Sequence, residues 1–159
     1  MKILDQDIKA IINETMLCFA ATVNKDGSPN LSPKSTLKVY DDNHLIFANI
    51  ASPKTISNLK RDPRIEINCI DIFSRRGYRF KGNGSIHSIG SRICEDLHQV
   101  IKAEHGDSIP VIDAVIIEVL EAKAVLSPAY KFVNGVTEDI LRSAYMKKYK
   151  VLPLRDKDK

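Results

Sequence analysis

The sequence predicts an α+β fold in which about six antiparallel strands close into a barrel with helices on its flanks. Three observations carry that expectation. The first three β-rich runs, Leu17 to Val23, Asn30 to Tyr40 and His44 to Asn49, follow one another through turns far shorter than the dozen residues a parallel crossover needs. Helix-period segments stand before, among and after the strands rather than alternating regularly with them. The 159 residues hold no internal repeat, low-complexity tract or linker, and with 43% hydrophobic and 28% charged residues they suit one domain, 1–159, around one core.

Leu4, Ile8, Ile11 and Ile12 lie on one face of a first helix, with Asp5 placed to cap it. The run Leu17 to Val23 ends at Asn24-Lys25-Asp26-Gly27-Ser28, where Asp-Gly supplies the positive φ of a tight hairpin. In the second run Pro33 points to an edge position, because proline cannot donate to a ladder. Asp41-Asp42-Asn43 turns the chain into the third strand. Ser52 then suits an N-cap and Pro53 the first helical position, and this helix should stop by Asp62-Pro63. Arg64 to Asp71 alternates Ile65, Ile67 and Cys69, and Gly77 to Ile89 reads as a further extended stretch. Ser91 to Glu104 carries Ile93, Leu97, Val100 and Ile101 on one face, with Gly106 just past its end. Val111 to Leu126 supplies a long last strand, and Thr137 can cap a final helix bearing Ile140, Leu141, Ala144 and Tyr145.

The net charge of +4 resides in the segment from Lys147 onward, where six basic and two acidic residues leave the rest of the chain neutral. Without interleaved aromatics, such a basic tail reads as a solvated terminus rather than a nucleic-acid grip. No apolar run reaches the roughly 20 residues of a membrane helix, and the first residues lack a signal peptide's apolar centre, so the expected compartment is the cytoplasm. Cys18, Cys69 and Cys94 form no CxxC pair, and their odd number argues against a secreted disulfide framework. Cys18 and Cys69 read first as small core side chains.

The most informative stretch for chemistry is Asn49-Ile50-Ala51-Ser52-Pro53-Lys54-Thr55, which brings two hydroxyls and an ammonium to a helix N-terminus. Free amides and the positive end of the helix dipole favour a phosphate there, with Lys54 adding a full charge. The plain alternative is an ordinary capped helix with a solvated lysine. No Ser-His-Asp order, HExxH or Walker loop accompanies this stretch, so a reaction would need a cofactor. Cys94 and His98 stand four apart with His105 two turns on, but without a further ligand they read as a solvated helix face and not a metal site. His44 and His87 read as ordinary surface or paired histidines.

The ordered segments Phe19-Ala20-Ala21-Thr22-Val23, Asp26 to Lys34, Leu45-Ile46-Phe47-Ala48-Asn49, Ser52-Pro53-Lys54-Thr55, Asn58 to Ile65 and Gly77 to Gly82 together resemble the pyridoxamine 5'-phosphate oxidase-like FMN-binding split barrels. The resemblance spans roughly Leu17 to Gly82. It implies an antiparallel split barrel, FMN at a homodimer interface, and the phosphate held by Lys54 and Thr55 with help from Ser52. Ala48 and Asn49 would line the flavin. Lys34, Ser35, Thr36 and Leu37 occupy the run that offers backbone groups to the ring edge, Lys38 matches a lysine that faces substrate in true oxidases, and Arg79 is placed to reach the cofactor from the partner subunit. The chain also departs from the oxidase pattern. Pro33 stands where the run opens with arginine, and Val151-Leu152-Pro153-Leu154-Arg155-Asp156 replaces the Arg-Leu-His-Asp-Arg type signature. Oxidation of pyridoxamine phosphate therefore does not follow from the resemblance. The expectation is an FMN-dependent oxidoreductase acting on an unspecified small molecule, with an unspecified electron donor. A flavin-binding or sensing module without turnover, or a relative using deazaflavin or haem, is the alternative.

Overall fold

A computed structural model describes residues 2–152, so the far end of the basic tail lies outside the described residues. Helix α1 (Gln6–Glu14) begins where Asp5 accepts the amide of Ile8 at 2.8 Å and buries Ile8, Ile11 and Ile12. Strands β1 (Cys18–Val23) and β2 (Pro29–Lys34) form the expected hairpin, its Gly27 at φ 84°. β3 (Lys38–Val39) and β4 (His44–Asn49) form a second one. Helix α2 (Pro53–Arg61) stops at Asp62, before Pro63, as the local sequence demands. Strands β5 (Arg64–Asp71) and β6 (Arg76–Ser88), helix α3 (Arg92–His105) and strand β7 (Asp113–Leu126) follow. The short α4 (Ala129–Phe132) and the longer α5 (Glu138–Tyr149) complete the described chain.

One expectation needs correction. The run Asn30 to Tyr40 is two strands, not one, which makes the strand total seven. The sheet order is β2-β1-β5-β6-β7-β4-β3, so β2 and β3 occupy opposite edges although only Ser35, Thr36 and Leu37 separate them. Four Cα steps reach about 15 Å at most. Six strand spacings would hold the edges of a flat sheet about 29 Å apart. The sheet must therefore curl until its edges nearly meet, and the result is an antiparallel split barrel. Both prolines of β2 are tolerated because the strand pairs with β1 alone.

The barrel interior holds Leu45, Phe47, Ile67, Phe80, Val115, Ile117 and Val119, closed by Leu4, Ile8 and Ile12 beside α1 and by Ile56 and Leu59 of α2. β4 is buried on both faces, because Ile46 and Ala48 point the other way and pack with Ala114 and Ile116 under Cys94, Leu97 and Ile101 of α3. Burying each such aliphatic side chain contributes about 1.5–3 kcal/mol, enough to hold α3 against the outside of the sheet. Cys94 thus belongs to this second core and not to a solvated helix face.

Candidate site at the start of helix α2

Asn49 closes β4 and organises the turn into α2. Its buried amide donates to Asp113 Oδ2 on β7 at 2.9 Å, while its Oδ1 accepts both the backbone amide of Ser52 at 3.1 Å and the Ser52 hydroxyl at 3.2 Å. The Ser52 side chain is therefore turned away from the helix it precedes and makes no capping bond. The N-terminal amides of α1, α3 and α5, by contrast, are met by Asp5, Ser91 and Thr137. Serine at this position normally fills the orphan amides of the first turn. Here Asn49 takes the hydroxyl, and the positive end of α2 is left open to an anion.

Two further groups border that end. Lys54 is exposed and shares a shallow cavity of about 430 Å³ with Asn24, Lys25 and Asp26 of the β1–β2 hairpin. The Ser28 hydroxyl and amide hold the Asp26 carboxyl below its usual range, and the Lys54 charge adds to that effect. Thr55 is buried, its hydroxyl accepting a 3.4 Å bond from Asn30 of β2, which also donates to Thr22 at 3.1 Å. Asn58 binds Thr22 and Asn24, both at 3.0 Å, so polar side chains pin α2 to the hairpin along its length. A second cavity, of about 560 Å³, lies on the other side of the helix start between Ser52, Ile56, Ile112 and Asp113.

The crossing from β2 to β3 comes next to this end. The Thr36 hydroxyl accepts the Ala48 amide at 3.1 Å, which fastens the crossing to the exit of β4. Ser35 is exposed, and Leu37 inserts its side chain into the barrel core, so the backbone is what this run presents. Lys34 points inward. Its ammonium donates to Ser32 Oγ at 2.5 Å and to the Pro33 carbonyl at 3.1 Å, and it lies 5.3 Å from the Phe47 ring centre. Burial draws its pKa down to about 8. Among the described residues no carboxylate forms an ion pair with it.

The structure thus gathers Thr36, Ala48, Asn49, Ser52, Lys54 and Thr55 around one helix start, with the backbone of Ser35 and Leu37 beside them. Lys38 stands aside in an ion pair with Glu104 of α3 at 2.6 Å. Arg79 is farther off, on β6, where it meets Glu66 of β5 at 3.1 Å. His44 is paired with Asp41 at 2.8 Å, and His87 with Ser85 at 3.1 Å. Among the described residues no group of three or more His, Cys, Asp or Glu side chains converges as a metal site would. Asp113, Asn30 and Glu104 join the corner without being among the site residues that the sequence predicts. The period-two polar row Asn30, Ser32 and Lys34 places these side chains on one face of β2, but nothing local says that this face turns inward or that Asp113 lies opposite Asn49 in the β4–β7 register.

Comparison with known proteins supplies the context. A family model described as pyridoxamine 5'-phosphate oxidase matches residues 4–126. HupZ of Group A Streptococcus is 28% identical with a TM-score of 0.68, over 77% of this chain and 94% of its own. An FMN-binding protein of Syntrophomonas wolfei subsp. wolfei is 16% identical with a TM-score of 0.67, over 76% of this chain and 84% of its own. HutZ, the haem storage protein of Vibrio cholerae, is 16% identical with a TM-score of 0.60, over 79% of this chain and 95% of its own. The last two likenesses are likenesses of fold.

Proposed function

Because this chain belongs to the pyridoxamine 5'-phosphate oxidase family, we propose that it binds FMN at the start of α2 and serves as an oxidoreductase for a small molecule. The observation that carries this reading is the displaced cap. Asn49 holds the Ser52 hydroxyl away from the helix, and a phosphate is the kind of group that the exposed dipole end, with Lys54 beside it, would accept. In this reading Lys54 and the α2 amides hold the phosphate, while Thr55 keeps the helix seated on β2 through Asn30. The backbone of Lys34 to Leu37 and the exit of β4 at Ala48 and Asn49 meet the ring. Bound flavin supplies hydride and single-electron chemistry, and the protein positions it and excludes water. Lys38, drawn to Glu104, borders the substrate side.

The same reading includes a homodimer. The outer face of β1, β2 and β7 exposes Phe19, Leu31 and Leu120, large apolar groups that water does not favour. A second copy packed there would cover a flat ring and bring Arg79 across. Light scattering at micromolar concentration should give twice the chain mass, and a monomer would contradict the dimer. No described helix is long and apolar enough to cross a membrane.

HutZ, a haem storage protein of similar fold, makes haem the second reading, and a flavin module without turnover is a further form of the first. Absorption and mass spectrometry of the ligand released from native protein separate these. FMN supports the proposal, whereas haem or a deazaflavin would replace it. Reduction of the bound FMN by NADH, NADPH or an added reductase distinguishes an enzyme from a binding module. Lys54→Ala should weaken FMN binding by about 1.5–3 kcal/mol, the loss expected for a charge-assisted bond.

A further inference from the structure

Cys18 and Cys69 are direct partners across the antiparallel pair β1–β5, on the inner face of the barrel. Both are at most 1% exposed, and their sulfurs lie 2.7 Å apart. Directly opposed residues of antiparallel strands have Cα atoms about 4.5–5.5 Å apart, inside the range of about 4.4–6.8 Å that a disulfide spans. Cys94, the third thiol, lies in the separate core under α3. We infer that Cys18 and Cys69 are a disulfide-forming pair, an oxidation site that can lock β1 to β5 within the barrel wall.

The lock would act close to the proposed cofactor strand, because Cys18 is flanked by Cys69 on one side and by Lys34 of β2 on the other. In the bond-forming step the two thiols lose two protons and two electrons, and one S–S bond replaces two S–H bonds. Hydrogen peroxide is the oxidant: its O–O bond breaks, it takes up the two electrons and two protons, and two waters leave. Contact with Cys18 and burial push the Cys69 thiol well above its ordinary pKa, which slows any oxidant that needs the thiolate, and with both sulfurs closed off from solvent only a small oxidant reaches them.

The test exposes the folded chain to hydrogen peroxide, removes the oxidant with catalase, unfolds the protein and alkylates it with N-ethylmaleimide before peptide mapping. The expected result is one maleimide per chain, on Cys94, and a peptide joining Cys18 to Cys69 that is two hydrogens lighter than its reduced parts. Three maleimides, a cross-link that uses Cys94, or oxygen adducts on Cys18 and Cys69 in place of the bond would overturn the inference. The bond closes a loop across 51 residues, and the oxidised form should melt roughly 10 °C above the reduced one. Equal midpoints would overturn the locking role. Cys94→Ser, treated alike, should take up no maleimide, and uptake of two would contradict the pairing.

Discussion

Asn49 and Asp113, opposite each other on β4 and β7, are joined by a buried 2.9 Å hydrogen bond, and the same asparagine restrains Ser52. Replacing Asn49 by alanine strips a donor from a buried carboxylate and releases the serine. Asn49→Ala should cost about 2–3 kcal/mol of stability, read from urea unfolding. It should also weaken FMN binding, because the freed Ser52 hydroxyl can turn inward and cap α2. A stability change below about 0.5 kcal/mol would show that the Asn49 bonds are not what hold this corner.

Lys34 makes stability depend on alkaline pH. Burial lowers its pKa from 10.5 unfolded to about 8 folded, so between these values the unfolded chain binds more protons than the folded one. Stability from this group is complete above about 10.5 and is lost as the pH falls through about 8. Lys34→Met should therefore be more stable than the parent at pH 7, by about 1–3 kcal/mol, with the difference shrinking as the pH is raised past 8. Unfolding curves of both proteins at pH 7, 8 and 9.5 measure this directly.

Asp7 acts in the opposite pH range. Bonds from Arg76 and then Tyr78 bring its pKa down from 3.8 to about 2, and the contribution is present above 3.8 and lost as the pH falls through about 2. The pair is partly open to solvent, which discounts its worth. Asp7→Asn should cost about 1 kcal/mol at pH 7 and nothing at the lowest pH, where parent and variant should unfold alike.

Gly82 marks the bulge where the β6–β7 register shifts. A Cβ there would stand 2.1 Å from the Glu118 carbonyl, which is backbone and cannot swing aside. Gly82→Ala should cost at least about 3 kcal/mol or prevent accumulation of folded protein. Gly27→Ala strains a positive φ but meets no atom within 4 Å, so it should cost only about 1 kcal/mol. Expression and thermal midpoints of the two variants provide the comparison.

Much of this architecture is written in local signals. Pro53 and Asp62-Pro63 bound α2 because proline geometry acts on its neighbours, and Asp5, Ser91 and Thr137 mark helix starts because their side chains satisfy nearby amides. The break at Ser35 to Leu37 is different. Those residues have no turn chemistry of their own, and they leave the ladder because the sheet edges they connect belong to different strand pairs. The same limit applies at the site. The phosphate-ready pattern around Ser52 to Thr55 is visible in sequence, but the turning away of the Ser52 hydroxyl depends on Asn49, which in turn depends on Asp113, 64 residues later. Lys34 shows the complementary case, since a lysine on an edge strand gives no local sign that it will be folded inward over Phe47.

The most direct test compares binding of FMN and riboflavin, which differ only in the phosphate, by quenching of flavin fluorescence. If the α2 start is the anchor, FMN should bind at least about 100-fold more tightly, and Lys54→Ala should close most of that gap. Equal affinities for the two flavins, or a gap unchanged by Lys54→Ala, would contradict it.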